Sequence, residues 1–153
     1  LQSNKTKFIP EYFTWLHSLD SLKLAQRLSQ AAQAHHGVPQ ALIEVNITRD
    51  PYKQGVAPDE LFTLVEQITK AGLAGIALRG LMTIGPHPAS EAQSRSAFAE
   101  LRELRDACQA QFSLSGFTEL SIGMSDDYVP AILEGATMVR VGSAIFGERI
   151  YSP

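Results

Sequence analysis

The sequence predicts an α/β protein whose C-terminal stretch forms a phosphate-binding edge like that at the top of a (β/α) barrel. Three observations carry this. Apolar, β-rich segments alternate with capped helical segments along the chain. Two of the strand candidates, ALIEVNI at 41–47 and GIALRGLM at 75–82, are mostly apolar on both faces, as in parallel strands covered on both sides. The stretch 120–147 holds two strand–turn–helix junctions built from small residues.

The strands are expected at 13–19, 41–47, 75–82, 117–122 and 137–141. The segments between them carry helix signals. Asp20 is placed to cap a helix in which Leu24 and Leu28 share a face, and Gly37 ends it. Pro58 suits a first helical position before Leu61, Leu64, Val65 and Ile68, with Gly72 beyond the end. Ser90 and Gln93 form a capping-box pair ahead of Phe98, Leu101 and Leu104. A short helix over 128–134 closes at Gly135. The loops at 48–57 and 83–89 follow strands, the side on which barrel sites are built. No composition break divides the chain, so residues 1–153 read as a single domain.

The sequence has 153 residues, 44% hydrophobic and 19% charged, with a formal net charge of −3. That balance argues against a nucleic-acid or anionic membrane partner, which selects for basic patches. No apolar run approaches the roughly 20 residues of a membrane helix. Residues 1–7 are polar and basic without a following apolar stretch, so they are not a signal peptide. The single cysteine, Cys108, has no partner for an internal disulfide and no Cys-His signature, and reads as a packed thiol.

Five strand–helix units are too few to close an eight-stranded barrel, which takes about 250 residues. Two architectures fit: an open doubly wound sheet, or the C-terminal part of a barrel. In the second, LQSNK at 1–5 is the loop after an absent strand, and another chain segment completes the barrel.

The chemistry concentrates in LSIGMSDDYVPAILEGATMVRVGSAIFG at 120–147. Its junctions, Gly123-Met124-Ser125 and Arg140-Val141-Gly142-Ser143, each set small residues before a helix, where unpaired backbone N–H groups can bind phosphate. Glycine there permits close approach to a ligand. Asp127 is the expected N-cap of the first helix, because Pro130 then falls within its first turn and Ser125 is left facing a ligand. The bland alternative is that Ser125 only ends a turn. Arg140 interrupts the apolar MVRV, so its guanidinium needs a partner, either a structural carboxylate or a ligand. His17 reads as packing or hydrogen-bonded scaffold. His35 and His36 sit at a helix C-terminus, and His87 lacks a metal-ligand companion. No metal site and no catalytic residue are expected.

The pieces LQSNK at 1–5, HSLDS at 17–21, EVNI at 44–47, RGLMTI at 79–84, LSIGMSDD at 120–127 and MVRVGSAIFGERIY at 138–151 resemble, in order and spacing, the pyridoxal phosphate homeostasis protein family. The resemblance implies a TIM-type barrel of the alanine-racemase N-terminal-domain type, here about five of its eight units. It implies a cytoplasmic, non-catalytic protein that binds pyridoxal 5′-phosphate (PLP) and takes part in its cellular balance. Ser125, Gly142 and Ser143 would hold the phosphate, Arg140 would face the ring nitrogen and Met124 would line the ring. Ser143 stands where threonine is often found and keeps the hydroxyl. The family's Schiff-base lysine lies on its first strand, upstream of residue 1, so none is assigned among Lys5, Lys7, Lys23, Lys53 and Lys70. Lys53, in the family's basic loop after EVNI, is a secondary contact at most. Two other functions stay open: a PLP-dependent racemase or lyase on the same barrel, and a barrel enzyme acting on a phosphorylated metabolite without PLP.

Overall fold

The computed structural model describes residues 3–35 and 37–147. Leu1, Gln2, His36 and the ERIY motif at 148–151 lie outside the described residues. A 3-10 turn, Ser3–Phe8, and helix α1, Ile9–Tyr12, lead into the sheet. The sheet holds strands β1 (Trp15–Leu19), β2 (Gln40–Glu44), β3 (Ala77–Met82), β4 (Glu119–Met124) and β5 (Met138–Arg140). They lie in sequence order, and every adjacent pair is parallel. Between them run α2 (Leu22–His35), α3 (Leu61–Lys70), α4 (Glu91–Gln111) and α5 (Tyr128–Leu133), and α6 (Ser143–Phe146) follows β5. The expected strand order and direction are therefore present.

One face of the sheet packs against the helices. Leu16, Leu19, Ala41, Ile43, Leu81, Leu120 and Ile122 enter a common cluster with Leu28, Leu61, Val65, Phe98 and Leu101 from the helices. In β2 the residues alternate, so Gln40, Leu42 and Glu44 point to the opposite face. That opposite face is more polar than the sequence reading expected, because Glu44, Arg79, Ser121 and Arg140 carry its hydrogen-bonding groups. A register irregularity between Leu16 and Leu19 lets both enter the helix-side cluster, three positions apart.

The sheet is strongly curved. β1 and β4 are three strand spacings apart, ~14 Å along a flat sheet. Yet His17 Nδ1 on β1 lies 3.0 Å from Ser121 Oγ on β4. Arg140 on β5 likewise reaches the Thr83 carbonyl, just past β3, at 3.0 Å. Only a concave sheet brings those groups together, so the open-sheet alternative gives way to an arc of barrel.

Two helix starts differ from expectation. Ser21, not Asp20, caps α2: its Oγ accepts from the Leu24 N–H at 3.4 Å and donates to Asp20 Oδ1 at 3.0 Å. The serine hydroxyl can do both at once, whereas a carboxylate only accepts. Pro58 lies in a turn before α3, where Glu60 and Leu61 donate to the Ala57 and Pro58 carbonyls. The helix itself begins at Leu61. The Ser90–Gln93 capping box is present with both reciprocal bonds.

Glu134, just beyond α5, is buried and bonds Arg95 and Arg102 of α4 at 2.7 and 2.6 Å. Those two guanidiniums hold its carboxyl below the usual range. Cys108 is fully buried in the helix-side cluster, and burial pushes its thiol up to about 11. The packed-thiol reading holds. We expect alkylating reagents at mildly alkaline pH to leave Cys108 unlabelled until the chain is unfolded, as mass spectrometry would show.

Gly80 sits at the irregularity of β3 with φ +154°, and a Cβ there would stand 1.9 Å from the Glu119 carbonyl oxygen. Neither strain nor clash can relax without parting β3 from β4. Gly80→Ala should lower stability by about 3 kcal/mol, read as a fall in the urea midpoint.

Candidate functional site

The C-terminal ends of β4 and β5 meet at the registered pair Met124 and Arg140. Beyond Met124 the chain turns sharply into α5. Asp127 occupies the N-cap position as expected, but its carboxylate reaches backward and accepts the Met124 N–H at 2.6 Å. The Asp127 N–H returns to the Met124 carbonyl at 3.2 Å. This closed turn presents Ser125 toward the next junction. Pro130 lies within the first turn of α5, as the sequence required.

Ser125 Oγ accepts two backbone hydrogen bonds, from Gly142 at 3.1 Å and Ala144 at 3.2 Å. The two junctions thus converge on a single oxygen. Ser143 stands between the two donors, exposed, as the first residue of α6. A Cβ at Gly142 would meet nothing within 4 Å, so the position is open. Gly123 is different. It is buried at φ +88°, and a Cβ there would press on the Ala131 Cβ at 2.6 Å and the Tyr128 Cα at 3.0 Å. Its lack of a side chain serves the packing of α5, not the approach of a ligand.

Arg140 is part-buried on the concave face. Its Nη1 donates to the Ser121 carbonyl at 2.9 Å and the Ser121 hydroxyl at 2.8 Å, and its Nη2 donates to the Thr83 carbonyl at 3.0 Å. The carboxylate partner considered from the sequence is not what holds it. Those three bonds do not exhaust the guanidinium's donors. Burial lowers its pKa, while Asp127 and Glu44 raise it, and it stays protonated. Thr83 Oγ1 in turn donates to the Val45 carbonyl at 2.6 Å, tying the ends of β2 and β3.

His17 was expected as scaffold, and the structure makes it a hydrogen-bonded member of the concave face. Its involvement with Arg140 through Ser121 was not visible in the sequence, because the contact spans three strands. Lys53 Nζ donates to the Gly85 carbonyl at 3.1 Å, joining the loops after β2 and β3. Lys53 also borders a cleft of about 210 Å³ with Glu44, Asn46 and Ile84. Burial raises the Glu44 carboxyl above its ordinary value. His35 ends α2, as expected, and His87 is exposed in the loop after β3. Among the described residues no group of His, Cys, Asp and Glu could hold a metal ion, and no helix is long and apolar enough to cross a membrane.

Burial first, and then the Arg140 charge, lowers the His17 pKa. The unfolded chain therefore takes up more protons than the folded one on the acid side. The stability that depends on neutral His17 is present above about 6.5 and is lost as pH falls through the depressed value. His17→Asn should flatten the fall in unfolding free energy between pH 7 and pH 5, measured by urea titration at each pH.

Comparison with known proteins places this geometry. The alanine racemase N-terminal domain family matches residues 3–150. The pyridoxal phosphate homeostasis protein of Pseudomonas aeruginosa is 46% identical over 153 residues, covering 99% of this chain and 63% of that protein. The chain thus spans about 63% of the length of the curated relatives it matches. PipY of Synechococcus elongatus, solved without PLP, superposes with a TM-score of 0.88 at 39% identity over 96% of this chain and 67% of PipY. The structure of PipY with PLP bound gives 0.86 at 36% identity, over the same shares. Alanine racemase of Clostridium difficile, at 16% identity and a TM-score of 0.70, covers 97% of this chain and 40% of its own and shares the fold alone. The chain belongs to the alanine racemase N-terminal domain family, and within it to the pyridoxal phosphate homeostasis proteins.

Proposed function

We propose that this chain carries the phosphate and ring-nitrogen side of a PLP site, in a cytoplasmic protein that holds the cofactor and takes part in its intracellular balance without turning over amino acids. The observation that carries the reading is the convergence of two backbone N–H groups on one oxygen, on the strand-end junction that follows a part-buried, hydrogen-bonded arginine. A phosphate oxygen asks for the same donors, and the open space at Gly142 admits a bulkier group. The residues present therefore fit the cofactor. The relatives' names and the PLP-bound PipY structure support the same ligand.

In this reading the phosphate is held at Gly142 and Ser143 by the backbone N–H groups of Gly142 and Ala144, with Ser143 between these donors and the Ser125 hydroxyl beside them. Met124, paired with Arg140 across the two strands, lines the ring. When bound, PLP supplies an electrophilic aldehyde and a ring able to withdraw electrons. Arg140 directs a permanent N–H donor at the ring nitrogen and so keeps a proton off it. An unprotonated ring is a weak electron sink, which suits holding the cofactor over amino-acid chemistry. The Schiff-base lysine belongs, by the family resemblance, upstream of residue 1. None of the lysines at 5, 7, 23, 53 or 70 lies within a strand.

Gly142→Asp in the full-length protein tests the phosphate site. The new carboxylate would occupy the open space and repel the phosphate. We expect PLP affinity, followed by the visible band of the bound cofactor, to fall at least about tenfold. Unchanged affinity would remove the site. Turnover of amino acids at rates typical of racemases would remove the non-catalytic reading.

A further inference from the structure

The concave face contains a relay that the phosphate site does not need. His17 Nδ1, Ser121 Oγ and Arg140 Nη1 form a chain of hydrogen bonds at 3.0 and 2.8 Å. Ser121 is fully buried, so its hydroxyl proton must find an acceptor within the protein. The arginine can only donate, and the Ser121 carbonyl already accepts from the same Nη1. The remaining acceptor is His17 Nδ1. No buried side-chain nitrogen or oxygen among the described residues lacks a partner, which agrees with a filled relay. The proton order is then fixed: arginine to serine oxygen, serine proton to Nδ1. His17 consequently carries its own proton on Nε2.

We infer that His17 is a positioning residue for cofactor recognition: as the neutral Nε2–H tautomer it draws the Ser121 hydroxyl proton and presents that oxygen to Arg140. This deepens the PLP reading and rests on it.

Without the Nδ1 acceptor the serine hydroxyl would be free to rotate, and its lone pairs would no longer be held toward Nη1. Arg140 would then keep the Thr83 and Ser121 carbonyls but lose the bond that sets its angle on the concave face. A second donor at the serine would do the same, because it would bring another partial positive charge to the oxygen that Arg140 needs. The imidazole is held in turn by Trp15, whose ring meets it edge-on at 77° with centroids 6.0 Å apart. Two neighbours from different strands thus fix a ring that itself touches no phosphate donor.

The experiment uses the full-length protein with two replacements of unlike chemistry. His17→Leu keeps bulk and removes the acceptor, whereas His17→Asn returns an oxygen acceptor near the Nδ1 position. In the cofactor-free protein, long-range proton–nitrogen spectra should show His17 protonated at Nε2 alone. The Arg140 side-chain N–H signals should exchange slowly in the parent and the asparagine variant, and faster in the leucine variant. With PLP, the leucine variant should bind about fivefold more weakly, the loss of one hydrogen bond, and show a shifted visible band, with asparagine restoring both. Should the leucine variant fail to fold, Ser121→Ala breaks the same relay and should leave His17 without a single tautomer. A proton on Nδ1, or equal impairment of the leucine and asparagine variants, overturns the inference. So does a leucine variant that matches the parent in band, affinity and Arg140 exchange. A parent protein that binds no PLP would overturn the cofactor reading and this inference's claim on recognition, while the spectra would still decide whether His17 orders Arg140.

Discussion

The concave face of this sheet is held by polar bonds that cross it like chords, from His17 to Ser121 and from Arg140 to Ser121 and Thr83. The His17–Ser121 bond joins strands three places apart, the Arg140–Thr83 bond reaches two places along, and the Arg140–Ser121 bond links neighbours. A flat sheet could not make the His17–Ser121 and Arg140–Thr83 bonds, so the curvature of the sheet and the contacts that line its concave face are the same interactions. Burial makes them demanding as well. A guanidinium withdrawn from water loses solvation that only well-directed acceptors restore. Two backbone carbonyls and a hydroxyl supply that here, without neutralising the charge.

The outer face works by a different physics. Aliphatic residues of the strands meet the apolar stripes of α2, α3 and α4, and that packing tolerates variation in shape more readily than the inner bonds do. The ion pairs of Glu134 add a specific tie between α4 and α5, so the turn carrying Ser125 is backed by a helix that cannot slide. Apolar packing is thus concentrated on one side of the sheet and directed polar bonds on the other.

The sequence displayed the apolar packing of the outer face well and the polar bonds of the concave face poorly. Apolar periodicity marked the order and direction of the strands, and the Ser90–Gln93 box located a helix start to the residue, because those signals are local. Pro130 correctly placed Asp127 at the N-cap, since a proline restricts its own turn. Asp20 and Pro58 misled. Each type fits a helix start, but the choice between neighbouring candidates was made by which side chain could satisfy two groups at once and by how the chain entered the helix. Gly123 and Gly142 looked alike as small residues before helices, yet only the packed fold separates a glycine crowded by Ala131 from one with open space. The link from His17 to Arg140 left no trace in spacing, because it exists only once the sheet has curled.

The crowding of Gly123 against Ala131 also bears on how relatives of this chain can diverge. With the two positions in van der Waals conflict should either grow, neither is free to drift alone. A lineage that enlarged residue 131 would have to lift α5 off the sheet, carrying the Asp127 turn and Ser125 with it. Sequence change in an apparently ordinary helix is thereby restrained by the geometry of a turn several residues away.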